Sequence, residues 1–166
     1  IQTKAGVCNG NFLGIGADDC LVAVQVDQTA PMGILITNGE FVSFRGSDPT
    51  MERVCPSHSG TVRIGNCAYW GSKQQIAVIE GTGPVVFSDC TFMQWDQARE
   101  GRSAIQARSG TVLVRGCEFR DNRPQVEIGE GVRRAVITDN VMTGEVRITN
   151  RSTGAVQISG NVGTSQ

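Results

Sequence analysis

The apolar and polar positions of this chain follow one short pattern that recurs six times. The segments read apolar, polar or glycine, turn residue, small residue, any residue, large apolar residue. They are Ile36–Phe41, Ile64–Tyr69, Phe87–Phe92, Val114–Phe119, Ile137–Met142 and Ile158–Gly163. Their fourth positions lie 28, 23, 27, 23 and 21 residues apart. A pattern repeated every few tens of residues is typical of a solenoid, in which each repeat packs on its neighbours.

A second short apolar stretch lies between these segments, at 23–26, 77–80, 104–107, 125–128 and 145–148. A unit this short cannot bury its apolar face alone, so stacked units share one continuous core. Equivalent strands are then parallel and about 4.8 Å apart. The sequence therefore predicts an all-β fold, a right-handed single-stranded parallel β-helix of about six coils. Irregular spacing disfavours a left-handed hexapeptide helix, and an antiparallel sandwich or jelly roll remains the alternative.

Stacking of the coils predicts ladders of equivalent side chains. One apolar ladder consists of Phe41, Tyr69, Phe92, Phe119 and Met142, and a second consists of Val24, Val78, Ile105, Val126 and Val146. The fourth position of the pattern gives the ladder Gly39, Cys67, Cys90, Cys117, Asn140 and Asn161. We expect Asn140 and Asn161 in a tight turn, where asparagine tolerates the left-handed conformation and can hydrogen-bond along the stack.

The composition sets limits on function. The 166 residues are enough for one domain, and we expect a single β-helix domain over residues 1–166, which could be a piece of a longer chain. A hydrophobic share of 39% and a net charge of -1 fit a globular protein without a field that attracts nucleic acid or an anionic membrane. We therefore expect neither nucleic acid nor membrane as a partner.

The six cysteines divide into two groups. Cys67, Cys90 and Cys117 occupy one ladder position, and stacked neighbours about 4.8 Å apart are ill placed for a disulfide. We expect these three to be buried free thiols. Cys8 and Cys20 could pair, and Cys55 is unassigned. No CxxC pair and only one histidine are present, so we expect no zinc and no cofactor.

The repeat units, such as Val114 to Phe119 and the segments beginning at Ile137 and Ile158, resemble the pectate-lyase-like superfamily of right-handed parallel β-helix proteins. The resemblance covers roughly residues 20–162. It implies the fold and a set of possible activities. The superfamily includes pectate lyases, polygalacturonases, epimerases, phage tailspikes and adhesins, and fold alone does not choose among them.

The stretch Gly16–Cys20 is similar to the G-D-D-C segment of polygalacturonase-type glycosidases. The resemblance implies that Asp18 and Asp19 are catalytic carboxylates, because inverting hydrolysis uses two carboxyl groups flanking the scissile bond. The downstream G-H-G and R-I-K segments of that family are missing here. The alternative for both residues is a solvated pair of carboxylates in a turn.

Two further groups are candidate saccharide contacts. Phe44, Trp70 and Trp95 lie where strands give way to loops, so their rings could stack on sugars or form an apolar cap beneath the loops. The outward positions of the second stretch form a row of Gln25, Ile79, Gln106, Glu127 and Arg147, beside Gln125 and Glu145. In this row we take Gln106, Glu127 and Arg147 as substrate-binding residues. A solvated sheet face is the alternative.

These observations combine into one functional expectation. We expect an extracellular or cell-surface carbohydrate-active protein whose partner is a polysaccharide or oligosaccharide, either a glycoside hydrolase or lyase or part of one. The alternative is a non-catalytic β-helix of a tailspike, adhesin or scaffold. The identity of the saccharide and the reaction are not encoded in any motif of the chain.

Overall fold

The structure is a computed structural model that describes residues 1–4, 9–43 and 50–164. Strands and turns account for the described part of the chain, and it contains no helix long and apolar enough to cross a membrane. Every strand pair recorded between these residues is parallel, as the sequence pattern predicts. The right-handed parallel β-helix is thereby confirmed, with about seven turns.

Each full coil contributes three strands, which we call its first, second and third strand. The strands are β1 Gln2–Thr3, β2 Gly10–Leu13, β3 Gly16–Asp18, β4 Val24–Val26, β5 Ile34–Thr37, β6 Glu40–Val42, β7 Glu52–Val54, β8 Val62–Gly65, β9 Ala68–Trp70, β10 Ala77–Ile79, β11 Pro84–Ser88, β12 Thr91–Met93, β13 Ile105–Arg115, β14 Glu118–Phe119, β15 Val126–Thr138, β16 Val141–Thr143, β17 Ile148–Asn150, β18 Ala155–Ser159 and β19 Val162–Thr164. Strands β13 and β15 each run through a third strand and the following first strand without a break.

Second strands form their own seven-stranded sheet, in the order β19-β16-β14-β12-β9-β6-β3. First and third strands form two further faces, which β13 and β15 join into one twelve-stranded sheet. The first coil, β2 to β4, is the one that the sequence repeat leaves out. Its pattern ends in Ala17 instead of a large apolar residue, although Ala17 pairs with Phe41.

The aromatic ladder lies at the centre of the core, as predicted. Phe41, Tyr69, Phe92 and Phe119 are fully buried, and their rings stack with centroid separations of 5.0, 5.4 and 4.8 Å. Met142 pairs with Phe119 and continues the ladder. Aromatic rings in offset stacks add specific attraction to the apolar area that they bury.

A two-residue bend joins the first strand of each coil to the second. Its first residue has a positive φ in every coil: Gly14, Asn38, Asn66, Asp89, Gly116, Asp139 and Gly160. Glycine, asparagine and aspartate tolerate this left-handed conformation better than other residues. The expectation that Asn140 and Asn161 are themselves left-handed is therefore wrong, because the left-handed residue comes one position earlier.

The second bend residue points inward and forms the predicted fourth-position ladder. Cys67, Cys90 and Cys117 are buried free thiols, as expected. Asn140 replaces the thiol in the next coil, where its Oδ1 accepts from the Cys117 N–H at 2.9 Å and its Nδ2 donates to the Val114 carbonyl at 3.1 Å. We call this column of side chains the bend ladder. Cys20 also carries a free thiol, whereas Cys8 lies outside the described residues.

The predicted ladder of third strands needs two corrections. The register aligns Val24, Glu52, Ala77, Ile105, Val126 and Ile148. Val78 is one position off, because all three residues of β10 are buried and no alternation marks the inward side. Val146 is two positions off, because it precedes β17 and lies in a loop.

Candidate functional site

Asp18 and Asp19 lie at the amino-terminal end of the solenoid, in the first coil. Asp18 is the exposed last residue of β3. Asp19 follows in a left-handed conformation, with φ of 46°, and its N–H donates to the Val42 carbonyl at 2.9 Å. The predicted substrate-binding residues Gln106, Glu127 and Arg147 lie three or more coils away. Since coils are spaced by about 4.8 Å, these carboxylates do not share a site with Gln106, Glu127 or Arg147.

The two tryptophans have different environments. Trp95 is fully buried, its Nε1–H donates to the Pro124 carbonyl at 3.0 Å, and its ring meets Phe119 edge-on at 6.1 Å. It is thus the apolar cap beneath a loop, which is the alternative that the sequence left open. Trp70 ends β9 on the outer side of the second strands and is half-buried. Phe44 lies outside the described residues.

The predicted polar row is only partly formed. Gln106 and Glu127 are register partners on β13 and β15, and Gln106 Nε2 donates to Glu127 Oε2 at 3.2 Å. The residue next to Glu127 in this row is Thr149, so Arg147 is not a member. Ile79 points into the core and is 1% exposed. Arg147 and Ile79 were misplaced for the same reason as Val146 and Val78. The sequence pattern does not show which residues of successive third strands are register partners.

A hydrogen-bonded chain extends this row across four successive coils. Arg108 donates to Glu80 at 2.8 Å and to Gln106 Oε1 at 3.0 Å. Glu127, which accepts the hydrogen bond from Gln106, also forms an ion pair with Arg151 at 3.2 Å. We call these five residues the third-strand face. They alternate groups that only donate, groups that only accept and an amide that does both.

Gln125 and Glu145 do not belong to this face. Gln125 is fully buried below it, where its Nε2 donates to the Glu145 carbonyl at 3.2 Å and its Oε1 accepts from the Arg147 N–H at 2.6 Å. The Glu145 side chain is 80% exposed and lies 3.6 Å from Arg147 Nε. Gln125 therefore ties two neighbouring loops together, which is a structural role.

Sequence reasoning missed a cleft of about 350 Å³ between the loops that join second to third strands. Its lining includes Asp96, Arg99, Asn122, Arg123 and Arg147, and we call it the arginine cleft. The three arginines come from three successive coils and lie 24 residues apart in the chain. That spacing matches the coil repeat, so a search for charged residues at the repeat length would have found them.

The single histidine and the remaining acidic groups form no further site among the described residues. His58 is fully buried, and burial lowers the pKa of its imidazole. No group of three or more His, Cys, Asp or Glu side chains in the described ranges could hold a metal ion. Among the described residues, the third-strand face and the arginine cleft each bring several polar or charged side chains together.

Comparison with known proteins does not assign a function to these surfaces. No protein-family model, curated protein or solved structure matches the chain. The parallel β-helix is shown by the architecture of the chain itself.

Proposed function

We propose that this β-helix is a carbohydrate-binding protein that holds an oligosaccharide or polysaccharide along the third-strand face. An extracellular or cell-surface location belongs to the same proposal, as does kinship with pectate-lyase-like proteins. The observation that carries the proposal is the hydrogen-bonded chain from Glu80 to Arg151, which crosses four coils.

The length and chemistry of this face support a hydroxyl-rich polymer. Three coil steps of about 4.8 Å give a polar strip of roughly 15 Å, longer than a single sugar ring. Each sugar hydroxyl both donates and accepts, so a row of alternating donors and acceptors can exchange its internal hydrogen bonds for bonds to the ligand. The strands β10, β13 and β15 beneath it are paired on both sides, which keeps this part of the strip rigid.

The geometry favours binding over hydrolysis. Hydrolysis with inversion needs two carboxyl groups about 6.5–9.5 Å apart with water between them. Asp18 and Asp19 are chain neighbours, one on a strand and one in a turn. They lie three coils from Gln106, the residue that donates to Glu127. A hydrolase or lyase that acts on a saccharide held along the third-strand face would therefore need catalytic groups other than Asp18 and Asp19.

Binding should be measured by isothermal titration with a panel of neutral and acidic oligosaccharides. In a Gln106→Ala, Glu127→Gln double variant, we expect at least a roughly tenfold loss of affinity with an unchanged melting temperature. The matched control is Gln157→Ala combined with Glu118→Gln, since both residues lie on strands of other faces. No binding to any saccharide, or equal loss in the control, would contradict the proposal.

A third variant checks the choice of face. Trp70 is half-exposed on the second strands, so a saccharide bound there would stack on its ring. Loss of binding in Trp70→Ala, with full binding in the Gln106 and Glu127 variant, would move the site away from the third strands. Release of new reducing ends that disappears in Asp18→Asn or Asp19→Asn would restore the hydrolase hypothesis.

A further inference from the structure

The arginine cleft has an unusual balance of charge for a protein whose net charge is -1. The Arg123 guanidinium donates to the Trp95 backbone carbonyl, which is a neutral acceptor. Arg147 donates to the Asn122 carbonyl at 3.3 Å, and its Nε lies 3.6 Å from the mostly exposed Glu145. An exposed ion pair of that length contributes little. The cleft thus holds arginines that are positioned by neutral groups.

The carboxylate in the cleft forms none of the ion pairs recorded among the described residues. Asp96 is 4% exposed, and its two oxygens accept from the Glu100 and Gly101 N–H groups, both at 2.9 Å. It is therefore used to shape its own loop. Arg99 on the same loop is exposed, and none of the ion pairs among the described residues involves it.

The loop that presents Arg99 is held in a strained conformation. Gln94, Asp96 and Arg99 have φ of 52°, 53° and 56°, three left-handed non-glycine residues within six positions. Such a conformation is unfavourable for a non-glycine residue and persists only where its surroundings impose it. Asp96 N–H bonds to the Gln74 carbonyl at 2.8 Å, which anchors the loop to the preceding coil. The backbone of this loop is therefore fixed by contacts within the protein.

A second, independent feature of the cleft is an unsatisfied polar atom. The side-chain oxygen of Asn122 is buried and has no hydrogen-bond partner in the described structure. A buried polar atom without a partner is unfavourable, because it has lost its hydrogen bonds to water. Rotation of the amide by half a turn exchanges the positions of its oxygen and its NH₂ group. The two orientations have nearly the same shape and differ only in the hydrogen bonds they make. An oxyanion only accepts hydrogen bonds, so it bonds to this amide through the NH₂ group and not through the oxygen.

We propose that the arginine cleft binds an oxyanion, namely a carboxylate, sulfate or phosphate group, between Arg99, Arg123 and Arg147. Guanidinium groups recognise such anions through paired N–H donors, and these bonds are stronger than those between neutral groups. The neutral carbonyls that now accept from Arg123 and Arg147 leave other donors of each guanidinium available. This site shares no residue with the third-strand face, so it stands or falls independently of the proposed function.

The test uses the full chain and small anions at constant ionic strength. Sodium sulfate and phosphate probe tetrahedral anions, sodium acetate and glucuronate probe carboxylates, and sodium chloride gives the baseline. We expect a saturable rise in melting temperature for at least one of the two classes, since a ligand that binds only the folded state stabilises it. The class of anion with the larger rise in melting temperature is the class that the cleft prefers.

Variants assign the site. Arg99→Gln should weaken binding by at least roughly tenfold without changing the melting temperature in chloride, because Arg99 is exposed. Arg147→Gln provides a second variant, on the loop two coils further along the solenoid. Arg63→Gln is the control, because it removes the same charge from the exposed side of β8. No saturable rise above chloride, or equal weakening in Arg63→Gln, would overturn the proposal.

Discussion

The two connections that flank each second strand follow opposite rules. The bend before it has two residues in all seven coils, whereas the loops after β9, β12, β14 and β16 have between four and eleven. The bend places one left-handed residue and one inward side chain at the same positions in each coil. The loops place Trp95 in the core in one coil and arginines at the surface in three. The regular bends thus build the core in the same way in each coil, whereas the variable loops differ from coil to coil and form the arginine cleft.

Replacing Cys117 by Asp should have the largest effect on the bend. Cys117 is 1% exposed, and a buried carboxylate without a partner is strongly disfavoured. We expect a loss of about 4 kcal/mol or more in the free energy of unfolding, measured by urea denaturation. Cys117→Asn is the control, because asparagine occupies the equivalent position in the next two coils, and it should cost clearly less. Equal losses in the two variants would argue against the bend ladder.

Glu52→Gln tests a contact in the core between the two kinds of connection. Glu52 follows a loop, and Tyr69, which donates a hydrogen bond to it, follows a bend. Burial raises the pKa of Glu52 to about 8, although the hydrogen bond donated by Tyr69 opposes this change. Cys67 is the other titratable group that acts on it, and it also favours the neutral acid. The folded protein therefore keeps Glu52 protonated at pH values where the unfolded chain ionises it.

The sign of the pH dependence follows directly. The stability that Glu52 contributes is fully present below its ordinary pKa of 4.5 and is lost as the pH rises through about 8, at about 1.4 kcal/mol per unit of pKa difference. We expect urea denaturation of the wild type to show a decline of several kcal/mol across this window, and Glu52→Gln to lack most of it. Parallel curves for the two proteins would mean that Glu52 is not the group responsible.

Asn140→Ala and Asn161→Ala compare an interior position of the bend ladder with its last one. Removal of Asn140 leaves the Cys117 N–H and the Val114 carbonyl without their partners in the core. Each buried unsatisfied group costs about 1–3 kcal/mol, so we expect a loss of about 2–4 kcal/mol. Asn161 is half-buried in the last coil, and its loss should be smaller. Thermal or urea unfolding would measure both, and the reverse order would contradict the ladder.

Asp19→Asn should have the smallest effect. Asp19 is exposed and has φ of 46°, a conformation that asparagine adopts as readily as aspartate. We expect a change within about 0.5 kcal/mol in the free energy of unfolding. A loss as large as that of Cys117→Asp would show that the amino-terminal coil is organised differently from the other coils.

The same contrast explains what the sequence could predict. The bend repeats glycine, asparagine, aspartate and cysteine at fixed offsets from apolar residues, so its ladder and the aromatic ladder follow from the pattern alone. The register of the third strands does not, because β10 is buried on both sides and variable loops precede each strand. The position of Trp95 depends on how neighbouring loops pack, which a single repeat unit does not encode. The arginines of the cleft recur every 24 residues, so their alignment is visible only when several units are compared.

The most direct test of the account is the crystal structure of the chain. We predict that the Cα atoms of Cys67, Cys90, Cys117 and Asn140 form one column with steps of about 4.8 Å. Their neighbours Phe92 and Phe119 should be paired in parallel strands. Antiparallel pairing of 84–88 with 111–115, or the four Cα atoms lying in different parts of the molecule, would contradict the β-helix and every site derived from it.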